Sequence, residues 1–154
     1  MSKLTLTTEG HRYIVVRRRF AAPPEALYRA HTDPELIQQW LLGPEGWTMP
    51  VCINEARPGG KIRYEWAHET RGSFYLTGEF LELEPPSRIV HIERMHLPDP
   101  TPDNRVETRF EPDGTGTLMT MRMTLPDEKT RAAMLATNME RGMEVSYARL
   151  EGMI

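Results

Sequence analysis

The 154 residues carry thirteen prolines, yet none falls between Asp127 and Ile154. Proline lacks a backbone donor, disrupts helix interiors and holds the preceding residue in extended backbone. A chain cut this often has room for short helices, for strands that end at prolines, and for one long helix at its end. His11 to Phe20, with Tyr13, Ile14, Val15, Val16 and Phe20, has strand composition. Pro23 to Ala30 and Thr32 to Trp40 each read as a short helix started by proline. Trp47 to Arg57 reads as a strand broken by Pro50, which implies a sheet edge or a bulge.

After the Pro58-Gly59-Gly60 turn, Ile62, Tyr64 and Trp66 alternate with Lys61, Arg63 and Glu65, the period of a strand with one buried face. Phe74, Leu76, Gly78 and Phe80 repeat the pattern up to Pro85-Pro86, and Arg88 to Met95 supplies the next strand. Val106, Thr108 and Phe110 lead through the Asp113-Gly114-Thr115-Gly116 turn to Met119, Met121 and Met123, which makes a hairpin. From Asp127 on, good helix formers predominate, and Leu135, Met139, Gly142, Met143, Ser146, Tyr147 and Leu150 recur at helical spacing. The order predicts an α+β fold: a curved antiparallel sheet of about seven strands wrapped around a long C-terminal helix, with two short helices after the first strand. One domain, 1–154, with a core at about 11–152, is the expected organisation.

Charged residues make up 27% of the chain and hydrophobic ones 39%, which fits a soluble globule. A net charge of -3 gives no basic field for a polyanion, so no nucleic-acid partner is expected. No apolar run is long enough for a membrane span and no signal-peptide core is evident, so no membrane partner is expected either. The single cysteine, Cys52, cannot form an internal disulfide or a multi-thiolate zinc site and fits a cytoplasmic setting. His11, His31, His68, His91 and His96 show no compact metal spacing, and neither metal nor cofactor is expected. Strand alternation sends His91 and His96 to opposite faces. Arg17-Arg18-Arg19 reads as a solvated edge with Arg18 turned away from its neighbours. No nucleophile elbow, phosphate loop or dinucleotide fingerprint appears, so no catalytic residue is assigned. Tyr64, Tyr147 and Arg94 are the groups that alternation would aim inward for acid–base work, with Glu79 and His91 on the other face.

Several stretches carry a family resemblance. Arg19-Phe20-Ala21-Ala22-Pro23-Pro24-Glu25-Ala26-Leu27 is followed by His31-Thr32-Asp33-Pro34-Glu35-Leu36 and Trp40, then by Gly43-Pro44-Glu45-Gly46 and Arg57-Pro58-Gly59-Gly60. Gly78 with Glu84-Pro85-Pro86, and Gly142 with Ser146-Tyr147-Ala148-Arg149-Leu150, complete the set in order. From about His11 onward the chain resembles the START-like, or SRPBCC, helix-grip superfamily, and within it the family named after the activator of the heat shock protein 90 ATPase. The resemblance implies a helix-grip fold and a cavity between the concave sheet face and the last helix, used across the superfamily for bulky apolar molecules. Met143 stands where members often carry a tryptophan.

The expected ligand site consists of Tyr64, Trp66, Phe74, Leu76 and Phe80 on the sheet, Met119 and Met121 on the closing strand, and Met139, Gly142, Met143 and Tyr147 on the helix. Flexible thioethers beside aromatic rings suit a wall that repacks around a ligand, while hydroxyl and indole groups orient it. Gly142 costs a helix about 1 kcal/mol relative to alanine, which calls for either close packing or space for a ligand. The leading expectation is non-enzymatic binding of a small apolar or aromatic molecule by a monomer or homodimer. A cyclase- or hydrolase-type enzyme using the same cavity is the first alternative, marked by a buried ionisable group facing the ligand. A co-chaperone stimulating the heat shock protein 90 ATPase is the second.

Overall fold

The computed structural model describes residues 3–154. Eight strands make one antiparallel sheet: β1 (Thr5–Glu9), β2 (Tyr13–Phe20), β3 (Trp47–Asn54), β4 (Lys61–His68), β5 (Gly72–Glu84), β6 (Arg88–His96), β7 (Asn104–Asp113) and β8 (Gly116–Thr124). The helices are α1 (Pro24–Thr32), α2 (Pro34–Trp40), α3 (Glu128–Leu135) and α4 (Met139–Glu151). The strand order is β1-β2-β8-β7-β6-β5-β4-β3, a meander from β3 to β8 that β2 and β1 extend. The α+β, helix-grip architecture is therefore as expected, with one strand more. The extra strand, β1, precedes the expected start of the core at His11; its Leu6 pairs with Val16 and joins the buried face.

Pro50 fits both of its expected settings, since β3 is an edge strand and its register shifts between Thr48 and Val51. The proline-free tail, in contrast, is two helices rather than one long one. Asp127 caps α3, its carboxylate accepting from Thr130 N at 2.7 Å. After Leu135 the Thr137 hydroxyl donates to the Met134 carbonyl at 2.7 Å, and Asn138 takes left-handed backbone at φ 59° before α4 begins. Threonine and asparagine side chains compete for backbone groups in this way, and asparagine tolerates the left-handed region, so the break has a local cause. The 13 residues of α4 span about 20 Å.

Alternation and register define the inner face. Across one row, Asn54, Ile62, Gly78, Glu93 and Asn104 stand side by side; the next holds Phe80, His91, Val106, Met123 and Ile14. A Cβ on Gly78 would collide with the Ile92 carbonyl oxygen, so only glycine lets β5 and β6 approach this closely. Trp40 locks the two small helices together, its Nε1 donating to the Ala30 carbonyl at 2.9 Å. Among the described residues no helix is long and apolar enough to cross a membrane.

Arg17-Arg18-Arg19 does not lie on a solvated edge: β2 runs between β1 and β8, and Arg18 is 2% exposed on the inner face. Its guanidinium donates to Glu144 at 3.0 and 3.1 Å and to Glu151 at 3.3 Å, both on α4, and lies over the Phe20 ring. Charge-assisted bonds of this kind tie the last helix to the sheet. Burial opposes ionisation of Glu144, but Arg18 and Lys3 together outweigh it and the carboxyl is held below its usual range. At the opposite flank Ser146 Oγ accepts from Gly43 N at 2.8 Å, and Arg149 donates to the Trp40 and Gly43 carbonyls at 3.0 Å each.

Candidate functional site

These tethers hold α4 over the sheet but leave a groove at its N-terminal half. The groove encloses about 380 Å³ and is bounded by Leu41 and Pro44 from the loop after α2, by Trp66, Phe74 and Met95 from the sheet, and by Met139, Gly142, Met143 and Ser146 from α4. Its walls are overwhelmingly apolar. A Cβ built on Gly142 meets no atom within 4 Å, so the glycine borders space rather than a closely packed neighbour. Trp66 stacks on Phe74 with centroids 4.9 Å apart, and Trp47 meets Phe74 edge-on at 5.2 Å. The Trp66 indole is occupied, donating to the Leu41 carbonyl at 2.8 Å, so it shapes the mouth instead of orienting a ligand.

Of the expected site residues, Trp66, Phe74, Met139, Gly142 and Met143 border this groove. Tyr64, Leu76, Phe80, Met119 and Tyr147 share the inner face or the inward helix stripe but are buried deeper, and Met121 is half-buried against them. Phe20 and Trp40 pack on Tyr147, with centroids 5.8 and 5.5 Å away.

The floor beyond the groove is polar. Inward alternation on β6 puts Ile89, His91, Glu93 and Met95 on the concave side and turns Val90, Ile92 and Arg94 outward. This reverses the expected facing: Arg94 points away and donates to Asp103 at 2.7 Å, whereas His91 points in. The apolar Val90 and Ile92 carry the stronger periodic signal, and they occupy the outer phase. His91 Nε2 lies 2.7 Å from Glu93 Oε1, and the two side chains keep 17% and 24% of their accessible surface although they face the interior. That residual surface is within reach of a water molecule.

Other polar groups gather there. His31 points its Nδ1 at the Leu27 carbonyl, 2.7 Å away; a carbonyl only accepts, so Nδ1 carries the hydrogen and Nε2 is a lone pair, buried and without a partner. Burial, reinforced by nearby His91, pulls the His31 pKa down to about 4 despite the opposing Leu27 bond. The Tyr64 hydroxyl accepts from Asn54 Nδ2 at 2.7 Å, which leaves its own proton to donate. Burial raises the pKa of Tyr64 and of Tyr147, and the Glu93 charge adds to both, so the two phenols stay protonated at neutral pH. Cys52 also faces inward, and burial, with Asp33 adding, pushes its thiol up to about 11. No group of three metal-ligating side chains occurs among the described residues. Neither His31 nor Glu93 was among the expected site residues. The β6 sequence, in which His91 and Glu93 sit two apart between apolar neighbours, is the signal that could have found the pair.

Comparison with known proteins matches this fold. Residues 21–154 match the family described as "Activator of Hsp90 ATPase homolog 1-like protein". A crystal structure of a Rhodobacter sphaeroides protein is 31% identical, with a TM-score of 0.92 over 98% of this chain and 97% of that one. One from Chromobacterium violaceum is 28% identical, with a TM-score of 0.77 over 92% and 96%. The solution structure of an AHSA1-like protein from Aeromonas hydrophila shares the fold, at 20% identity and a TM-score of 0.74 over 91% and 92%. No curated protein matches the chain. With the family match covering most of its length and the fold shared throughout, the chain belongs to the Activator of Hsp90 ATPase homolog 1-like family.

Proposed function

We propose that the protein binds a small apolar or aromatic molecule, without transforming it, in the cavity between the sheet and α4. The observation that carries this reading is the open space over Gly142 in an apolar groove of about 380 Å³, a volume suited to a small ligand. Trp66, Phe74, Met139 and Met143 supply apolar surface whose removal from water drives binding, at about 25 cal/mol per Å² before the costs of immobilisation. Tyr64, Leu76, Phe80, Met119, Met121 and Tyr147 form the deeper wall against which a ligand seats when the flexible methionines move.

The test is Gly142→Leu. The leucine fills the groove, so affinity for an environment-sensitive apolar dye falls at least about tenfold, while stability holds or rises by about 1 kcal/mol because glycine leaves a helix. A stable variant that binds the dye unchanged refutes the placement.

A second reading, an acid–base enzyme using the same cavity, draws on the His91–Glu93 pair, the buried ionisable group that such chemistry requires. Turnover of a bound ester or ketone that Glu93→Gln abolishes, with the affinity for it retained, is the outcome that favours this reading.

A further inference from the structure

The polar floor beyond the groove has a directional character that bears on what the cavity takes. Two of its histidine nitrogens, His31 Nε2 and His91 Nδ1, are buried with no hydrogen-bond partner, as are Asn54 Oδ1 and Asn104 Oδ1. His31 Nε2 is a lone pair because Nδ1 donates to Leu27. With the His91 ring neutral, Nε2 donates to Glu93 and Nδ1 is likewise a lone pair. Glu93, whose carboxylate only accepts, stands beside Asn104 in the β6–β7 register. Against these acceptors stand two hydroxyl donors, Tyr64 and Tyr147. The surplus rests on His31, His91 and Glu93, since each asparagine amide brings donors as well as an acceptor.

The groups belong together. Glu93 lies within electrostatic reach of both tyrosines, and His91 of His31. They also adjoin the groove. Met95 and Trp66, which line it, follow Glu93 and Tyr64 by two positions on the same faces of β6 and β4, about 7 Å in extended backbone. Among the described residues the only arginine or lysine on the sheet's inner face is Arg18, and its guanidinium is engaged by Glu144 and Glu151. An anionic head entering this floor would meet Glu93 and several lone pairs with no cation to receive it, and buried polar atoms left unpaired are costly.

We infer that the cavity's ligand carries a hydrogen-bond-donating head, a hydroxyl or an amine and not a carboxylate or phosphate, which seats on His31, His91 and Glu93 while its apolar body fills the groove. This deepens the reading given above and rests on it. The donor head satisfies the lone pairs that the fold leaves unmatched, and its absence from the ligand is penalised more heavily than a missing methylene would be.

Three probes sharing one ring system separate the two levels: naphthalene, naphthol and naphthoate, titrated into the full chain at neutral pH by calorimetry. The expected order is naphthol first, naphthalene about tenfold or more weaker, as the loss of a hydrogen bond to a charged group implies, and naphthoate weakest. Glu93→Gln adds an amide donor, so it should narrow the gap between naphthol and naphthoate by about tenfold, and His91→Leu should bring naphthol down towards naphthalene. An unchanged circular dichroism spectrum and a cooperative thermal transition in both variants show that each has folded. Naphthoate binding as tightly as naphthol to the wild-type protein, or naphthol no tighter than naphthalene, overturns the inference while the cavity reading stands. A naphthol preference that survives both substitutions overturns the assignment to these residues. If none of the three binds, the cavity reading has failed and this inference falls with it.

Discussion

His31 concentrates the tension between burial and polarity in this interior. Its ring sits 4.9 Å from both Trp40 and Phe110, and it is held neutral at pH values where a solvated histidine takes up a proton. With a pKa of about 4 in the folded protein against 6.5 in the unfolded chain, the unfolded state binds more protons in between. Stability from this residue is therefore complete above pH 6.5 and lost as pH falls towards 4, a contribution of up to about 3 kcal/mol. Urea denaturation at a series of pH values checks this. His31→Asn, whose amide can donate to the Leu27 carbonyl but does not titrate, should flatten the curve over that window. Acid loss below about pH 4.5 should persist in the variant, because Glu144 and Glu151, ordinarily near 4.5, are held lower in the fold and lose their bonds only when protonated.

At the scale of elements, α4 is held by charge as much as by its apolar stripe. Arg18 is 1% exposed in its side chain, and Glu144 and Glu151 are 17% and 25% exposed. Arg18→Met should cost about 2 kcal/mol or more, since it takes the buried cation from two partly buried carboxylates and leaves them only Lys3 and partial solvation; adding Glu144→Gln and Glu151→Gln should recover most of that loss. Melting temperatures of the single and triple variants decide this. Sequence alone could not place Arg18, because burial of the middle arginine depends on β8 and α4, from distant parts of the chain, pairing with β2 and covering its inner face. The meander from Ile62 to Met123 was legible because apolar alternation and proline-bounded turns agree there. At β6 they disagree: apolar Val90 and Ile92 face out, while His91 and Glu93 face in. Local rules tend to break at functional sites, and here the break hid the polar half of the candidate site while the apolar half, from Trp66 to Met143, could be read from alternation, the Gly142 stripe and the resemblance. The division of the tail into α3 and α4 was hidden for a different reason, since Thr137 and Asn138 end a helix only by side-chain bonds and a left-handed turn that composition does not announce.

For the whole molecule, α1 and α2 cover part of the sheet's apolar inner face and the last two helices close the rest. Truncation after Pro126 should yield a product that aggregates or melts without cooperativity, because the uncovered patch exceeds what soluble monomers present. A soluble product with a sharp thermal transition would contradict the architecture's dependence on α4.

The same cover creates the cavity, and an amide NMR titration of the full chain with naphthol addresses that claim most directly. The account predicts saturable shifts gathered at Trp66, Phe74, Met95, Gly142 and Met143, and their loss in Gly142→Leu. Shifts centred instead on the outer-face hollow of about 260 Å³ beside Tyr75, His96 and Pro98, or affinity unchanged by Gly142→Leu, would contradict it.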